Sequence, residues 1–176
     1  MVLRHKKPVD ATPSKFVVEA VQKIKLPAHS LVLDMPCGYG RNSLFLLSKD
    51  FRVCGADYGD PMLHDGWHKS STNILLVRLD ATKRLPFAKG QFDLVVVVHF
   101  VAEGLMQNVI PCIKQGGYLI FETYSGVGGN WMVLPCVGEI QSWLMPDFEI
   151  LSCKERLVGP RKENVSAKIL AKKLTA

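Results

Sequence analysis

Short apolar segments alternate along this chain with polar or helix-like stretches. Residues 92–98 are almost continuously apolar and rich in β-branched side chains, which is typical of a central strand that is covered on both faces. The predicted strands of this first part are Leu31–Asp34, Arg52–Asp57, Ile74–Leu79, Phe92–His99 and Tyr118–Thr123. Strands that alternate with helical connections predict an α/β fold with a parallel, doubly wound, Rossmann-like sheet.

A helix is predicted before the first of these strands. Apolar residues recur at helical spacing between Ser14 and Lys25, and Ser14 is a residue type that caps helix N-termini. We expect this helix to cover one face of the sheet. The basic residues 1–13 that precede it are candidates for part of a lid over the site.

The end of the chain departs from the alternating pattern. Phe148–Val158 and Val165–Lys172 both have the composition of strands, and the segment between them, Gly159–Asn164, is rich in turn-forming residues. This connection is too short for a crossover helix, so the two strands should pair antiparallel. The sequence therefore predicts a mostly parallel, seven-stranded sheet that ends in an antiparallel hairpin.

Size and composition predict one folded domain over residues 1–176. The chain has 176 residues and a hydrophobic fraction of 48%, enough for a sizeable core. No apolar run has the length of a membrane span, and the basic start lacks the apolar stretch of a signal peptide. We therefore expect a cytoplasmic protein without a membrane partner; the oligomeric state is left open.

The net charge of +6 permits an anionic partner such as RNA. The lysines are mostly dispersed rather than clustered, so a nucleic-acid partner is possible but not favoured. The five cysteines include no Cys-x-x-Cys pair and are expected to be reduced core residues. His64 and His68 have one-turn spacing, but no third ligand is evident, so no metal site is predicted.

The segment from Leu31 to Asn42 carries the strongest chemical signal. Three apolar residues lead to Asp34, a Gly-x-Gly turn follows, and a helix-like run comes next. This order is typical of a nucleotide-type cofactor held at the carboxyl end of the first strand. A carboxylate at that point would repel a pyrophosphate but attract an ammonium group. The acid therefore favours S-adenosylmethionine, which has an amine and no phosphate.

The same segment resembles the class I S-adenosylmethionine-dependent methyltransferases, whose loop reads acid-x-x-x-Gly-x-Gly. The more specific resemblance is to the small tellurite-resistance-type members, which tend to carry Asp-x-x-Cys-Gly-x-Gly-Arg-Asn. Pro36 stands where glycine is more common in the family. The loop residues assigned to the cofactor are Asp34, Pro36, Cys37, Gly38, Gly40 and Asn42.

Two further acids end the second and third predicted strands. An acid at Asp57 can accept hydrogen bonds from both ribose hydroxyls. The family resemblance implies that Asp80 meets the adenine amino group and that the backbone N–H of Ala81 meets a ring nitrogen. Tyr58 either packs on the adenine face or is a surface aromatic. Three acids in this order would meet the amine, ribose and adenine of one elongated ligand.

Candidate catalytic residues follow strands four and five. His99 is the best candidate for a general base, or it lines the cofactor pocket through a hydrogen bond. Glu122 and Tyr124 could face the substrate. The alternative for Glu122 is a buried structural partner, because strand positions alternate faces. Glu103 is a weaker candidate. The Gly-rich segment from Ser125 to Gln141, which contains Trp131, is interpreted as a lid.

The acceptor is expected to be a small molecule. Amino-directed nucleic-acid enzymes of this family usually carry Asn/Asp-Pro-Pro-aromatic after strand four, and this chain has residues 99–102, His-Phe-Val-Ala, there. Two alternatives stay open: a non-catalytic S-adenosylmethionine-binding protein, and an RNA methyltransferase that acts with a partner. A nicotinamide dehydrogenase is disfavoured because the Gly-x-Gly-x-x-Gly fingerprint ends in Ser43.

Overall fold

The computed structural model describes residues 12–59, 74–123 and 134–175. Its strands are β1 (Leu31–Asp34), β2 (Arg52–Asp57), β3 (Ile74–Arg78), β4 (Phe92–Val98), β5 (Ile113–Glu122), β6 (Phe148–Val158) and β7 (Asn164–Lys173). Its helices are α1 (Lys15–Lys23), α2 (Arg41–Leu47), α3 (Leu105–Val109) and α4 (Glu139–Leu144), with a 3₁₀ turn at Ile110–Cys112.

The seven strands form one sheet in the order β3-β2-β1-β4-β5-β7-β6. Strands β1 to β5 pair in parallel, whereas β7 runs antiparallel to both β5 and β6. The predicted α/β fold with its terminal antiparallel hairpin is confirmed. The strand order reverses between β1 and β4, and ligands of open α/β sheets bind beside such a switch point.

The sheet separates two hydrophobic layers. One layer packs α1 and α2 against side chains such as Val32, Val96 and Ile120. The other contains residues of α3 and α4 together with Leu33, Val97 and Phe121. Because successive strand residues point to opposite faces, neighbours in β4 and β5 contribute to different layers.

Local sequence signals explain much of this architecture. The Ser14 hydroxyl accepts a hydrogen bond from the Phe16 N–H at 3.2 Å and caps α1, as its position predicts. Strand β4 is buried along nearly its whole length. Asp93, its one acid, accepts from the Leu31 N–H at 2.8 Å and pairs with Lys114 at 2.7 Å. This carboxylate therefore fastens β4 to β1 and β5.

Strand β5 begins five residues before the predicted start at Tyr118. Phe92 pairs with Ile113, but the next registered pair is Leu94 with Tyr118, so residues 114–117 form an irregularity in the ladder. A glycine pair inside this stretch hides the strand signal in the sequence. Within the part of the chain described, no helix is long and apolar enough to span a membrane.

Candidate functional site

The loop after β1 turns on two glycines. Gly38 and Gly40 have φ values of 51° and 80°, and Gly40 precedes the first residue of α2. The Gly40 N–H donates to the Cys37 carbonyl at 2.8 Å, and the Cys37 N–H donates to Ala56 of β2 at 2.9 Å. A Cβ at Gly38 would meet no atom within 4 Å, so the left-handed backbone, rather than lack of space, favours glycine there.

Asp34 is fully buried at the end of β1, beside this turn. Its Oδ2 accepts a hydrogen bond from the Ser43 hydroxyl of α2 at 2.5 Å, whereas Oδ1 receives none from the described residues. Burial raises the pKa of this carboxyl to about 7, and the neighbouring Asp57 carboxylate adds to the increase. A buried acceptor oxygen without a donor is costly. A ligand ammonium would supply the missing donor, so the residues present fit S-adenosylmethionine.

Asp57 lies at the end of β2, adjacent to β1. Its Oδ2 accepts from the Gly38 N–H at 2.8 Å, and its Oδ1 accepts from the Gly59 N–H at 3.1 Å. Asp57 therefore fixes the glycine turn, while a carboxylate keeps further lone pairs for a ligand. Tyr58 is 70% exposed, and its carbonyl accepts from Arg78 Nε at 3.1 Å. Both interpretations of the Tyr58 ring are compatible with this exposure.

Asp80 follows β3, the outermost parallel strand. Its Oδ1 accepts from the Thr82 N–H at 2.9 Å and from the Thr82 hydroxyl at 2.6 Å, and these bonds lower the pKa of the carboxyl. Ala81 beside it is buried. The strand order β3-β2-β1 places Asp34, Asp57 and Asp80 along one edge of the sheet in the predicted sequence.

Three other cofactor candidates belong to the same loop and helix. Cys37 is buried, and burial raises the pKa of its thiol, so this cysteine is a packing group rather than a thiolate. Pro36 is partly buried beside it. Asn42 is buried in α2, and its Oδ1 accepts from the Ser14 N–H at 2.9 Å. The assignment of Asn42 to the cofactor stays a prediction, because the observed bond joins it to the start of α1.

His99 follows β4 at the same edge of the sheet. Its backbone has a φ of 59°, and its N–H donates to the Glu122 carbonyl at 2.7 Å. Burial lowers the pKa of the imidazole despite the opposing effect of the Glu122 carboxylate. The neutral form, which a general base requires, is therefore favoured near neutral pH.

Glu122 ends β5 and points into the layer that contains α1. It is 5% exposed, its Oε2 accepts from the Ser14 hydroxyl, and its Oε1 pairs with Lys168 Nζ at 2.9 Å. Both carboxylate oxygens are engaged by structural groups. This geometry is that of the buried structural partner, the alternative left open for Glu122; the catalytic role stays a prediction.

Several predicted residues lie outside the described parts of the chain. They are Tyr124, Trp131, His64 and His68, together with residues 1–11 of the basic N-terminal segment. The predicted lid is described from Leu134 onward, where Leu134 is buried and α4 begins at Glu139.

A large cavity, which the sequence patterns do not predict, lies beside this edge. Its volume is about 930 Å³, and it lies between α3 and α4 against the Phe121 side of β5. Part of its wall, Val101 and Ala102, follows His99 directly along the chain. The apolar residues of α3 and α4 were the only signal for this cavity in the sequence. The cavity forms because the two helices are separated in space, and their separation depends on the tertiary packing.

Comparisons with known proteins bear directly on this site. A family model described as a methyltransferase domain matches residues 32–117, which include the glycine turn and the three acids. The match covers slightly less than half of the chain and supports a methyltransferase domain. Two structural neighbours, at 19% and 18% identity, are described as S-adenosylmethionine-dependent methyltransferases.

One curated relative is the Bacillus subtilis (strain 168) protein named "Putative methyltransferase YqeM". It is 32% identical over 111 residues, which are 57% of this chain and 44% of the relative. The alignment thus spans less than half the length of that relative.

Solved structures share the fold. A Methanosarcina mazei S-adenosylmethionine-dependent methyltransferase has a TM-score of 0.63 at 19% identity, covering 86% of this chain and 95% of its own. A chain from the complex of the Haloferax volcanii Trm112 methyltransferase activator with a methyltransferase has a TM-score of 0.70 at 11% identity. That match covers 92% of this chain and 89% of the other. At these identities the likeness concerns the fold.

Proposed function

We propose that this protein is an S-adenosylmethionine-dependent methyltransferase that acts on a small-molecule acceptor. The observation that carries the proposal is the buried Asp34 carboxyl beside the glycine turn, one oxygen of which receives no donor from the described residues. When bound, S-adenosylmethionine supplies a methyl group already activated by the sulfonium. Positioning by the protein can then account for most of the acceleration.

Each cofactor residue has a distinct part in the proposal. Asp34 accepts from the ligand ammonium, Asp57 accepts from the ribose hydroxyls, and Asp80 accepts from the adenine amino group. Neighbouring parallel strands lie about 4.8 Å apart, and the strand order β3-β2-β1 gives the three acids the same order as the adenine, ribose and amine of the ligand. The loop residues Pro36, Cys37, Gly38 and Gly40 shape the surface on which the methionine part lies.

His99 is proposed as the group that receives a proton from an acceptor that needs deprotonation. Its lowered pKa supports this role, because the imidazole is neutral when the acceptor arrives. An acceptor such as a thiolate would not need this step. The finer likeness to tellurite-resistance-type members stays a proposal and says nothing about the acceptor, since fold-level likeness does not carry chemistry.

Titration calorimetry with S-adenosylmethionine, S-adenosylhomocysteine and NAD tests the cofactor assignment. We expect micromolar binding of the two adenosyl ligands and none of NAD. Formation of S-adenosylhomocysteine with any acceptor would then separate an enzyme from a non-catalytic binding protein. Failure to bind either adenosyl ligand would overturn the proposal.

An RNA methyltransferase with a partner protein is the second candidate. It is favoured by the net charge of +6 and by the structural neighbour that is solved with the Trm112 activator. This candidate predicts nucleic acid that co-purifies with the protein and a binding constant that falls steeply with salt. A protein that purifies without nucleic acid, and whose affinity for RNA is weak and does not depend on salt, would favour the small-molecule acceptor.

A further inference from the structure

The cavity of about 930 Å³ between α3 and α4 lies next to the proposed cofactor edge. Val101 and Ala102 of its wall come two and three residues after His99, and Phe121 directly precedes Glu122, whose carbonyl accepts from the His99 N–H. The cavity therefore begins at the carboxyl ends of β4 and β5. Its size is in the range of small-molecule sites.

The described wall is mostly apolar and carries two aromatic rings. The rings of Phe121 and Trp143 meet edge to face, with centroids 6.3 Å apart at 73°. Leu105, Met106 and Ile110 add aliphatic and thioether surface. Such a wall binds the apolar body of a ligand, and aromatic faces also attract organic cations.

The charges of the described wall are of one sign. Glu103 and Glu139 are its two carboxylates, and it includes no lysine, arginine or histidine. Lys173 touches the lining residue Ile110, but its ammonium donates to the Ile110 and Ile113 carbonyls at 2.9 and 3.0 Å. An anion in the cavity would meet two carboxylates without a described cationic partner, whereas an ammonium would be attracted.

We infer that this cavity is the acceptor site and that it takes a small amine with an apolar body. The inference rests on the proposed function and narrows its acceptor class. Transfer to such an acceptor forms a C–N bond and breaks the S–CH₃ bond, whose electron pair stays on the sulfur of S-adenosylhomocysteine. The bound ammonium must first give one proton to the neutral imidazole of His99, the base proposed above, which frees the nitrogen lone pair for the attack. No further reactant is required.

Cys136 makes occupation of the cavity measurable. It is exposed and lines the cavity, whereas Cys153 is exposed on β6 outside it, and the other three cysteines are buried. Alkylation by iodoacetamide, followed by peptide mass spectrometry, reports the labelling rate of each cysteine separately. Cys153 then serves as the internal control in every sample.

The probes are tryptamine, indole and indole-3-acetate, which share a ring system and differ in charge. We expect tryptamine to slow labelling of Cys136 by roughly fivefold or more at a concentration where indole-3-acetate has little effect, with indole between them. Labelling of Cys153 should not change. Equal or better protection by indole-3-acetate, or no protection by any probe, would overturn the inference.

Charge-neutral variants sharpen the test. The pair Glu103→Gln and Glu139→Gln should reduce the advantage of tryptamine over indole by roughly fivefold. Glu149→Gln, which removes one such charge from an exposed position of β6, should not change it. Glu139 Oε2 accepts from the Cys136 N–H at 2.8 Å, and glutamine keeps an acceptor oxygen there. Glu103→Gln alone provides a second variant that leaves this bond intact. An unchanged ratio in all cavity variants would contradict the inference.

Labelling is carried out with and without S-adenosylhomocysteine. This comparison tests the methyltransferase function and the amine site independently. Protection by tryptamine in a protein that fails to bind S-adenosylhomocysteine would leave an amine site but remove the methyltransferase function. Binding of S-adenosylhomocysteine without any protection by amines would leave that function intact and remove the amine inference.

Discussion

Two buried carboxyls at the same edge of the sheet have opposite surroundings. Glu122, at the end of β5, has both oxygens engaged, by Ser14 and by Lys168. Asp34, at the end of β1, is bonded by Ser43 through one oxygen and has no described donor at the other. Burial alone does not distinguish the two residues, because both are nearly or fully inaccessible.

This difference in surroundings supports the proposal that Asp34, rather than Glu122, meets a ligand. A buried polar group without a partner costs free energy, so it persists where a function compensates for it. Glu122 joins α1, β5 and β7 as a structural group. Asp34 has one oxygen that no described residue engages, and burial raises the pKa of its carboxyl to about 7.

Replacing Asp34 with asparagine is expected to have the largest effect. The variant keeps the shape of the side chain but removes the charge that we propose meets the ligand ammonium. Affinity for S-adenosylhomocysteine should fall by about 2–3 kcal/mol, the scale of a hydrogen bond to a charged group. Calorimetry measures this loss directly. Wild-type affinity in the variant would remove Asp34 from the cofactor site.

Asp57→Ala should weaken cofactor binding by about 1.5–3 kcal/mol. The side chain is expected to bond the ribose, and its loss also releases the Gly38 N–H that it now accepts from. Asp57→Asn is the matched variant, because the amide oxygen can still hold Gly38. If affinity for the cofactor falls in the alanine variant but not in the asparagine variant, Asp57 only stabilises the glycine turn through its bond to Gly38.

The pH dependence of cofactor binding should identify Asp34, because its carboxyl has a raised pKa. In the free protein its pKa is about 7, and a bound ammonium should lower that value. Binding therefore releases a proton, and cofactor affinity should rise with pH up to about 7 and then level off. Calorimetry in buffers of different ionisation enthalpy measures the number of protons that are released when the cofactor binds. The Asp34→Asn variant should lose this dependence.

Folding stability should respond to the same carboxyl. Because the pKa of folded Asp34 is raised above the unfolded value of 3.8, the folded state binds the extra proton between these two pH values. The contribution of Asp34 to stability is fully present below about pH 4 and is lost as pH rises through about 7. Urea unfolding across this window should show a steeper decline in the wild type than in Asp34→Asn.

Glu122→Gln should affect the fold and spare the cofactor. The neutral amide removes the ion pair with Lys168, although its oxygen can still accept from that ammonium while its NH₂ donates to the Ser14 hydroxyl. The Lys168 side chain is 42% exposed, which reduces the worth of the ion pair, so we expect a loss of about 1–2 kcal/mol in unfolding free energy. Cofactor affinity within twofold of wild type would support the structural role. A collapse of turnover with unchanged stability would instead support a catalytic one.

The sequence predicts the positions of the two carboxyls at the ends of β1 and β5, but it does not predict their different hydrogen-bond partners. The strand patterns, the terminal hairpin and the three acids follow from local composition and spacing. The partners of Glu122 do not, because Ser14 is 108 residues away and its contact depends on how α1 packs on the sheet. The cavity was equally hidden, since it depends on the distance between α3 and α4 rather than on either segment alone.

The smallest expected effect concerns Ser14, which belongs to the structural side of the comparison. Its hydroxyl caps α1 through the Phe16 N–H and donates to Glu122, so Ser14→Ala should cost about 1 kcal/mol of stability. The Ser14 N–H bond to Asn42 survives the substitution, which keeps α1 joined to α2 and leaves the glycine turn in place. Ser14→Thr, which retains the hydroxyl, should recover most of the loss. If Ser14→Ala weakened cofactor binding as much as Asp34→Asn does, α1 would belong to the cofactor site and the two carboxyls would no longer have separate roles.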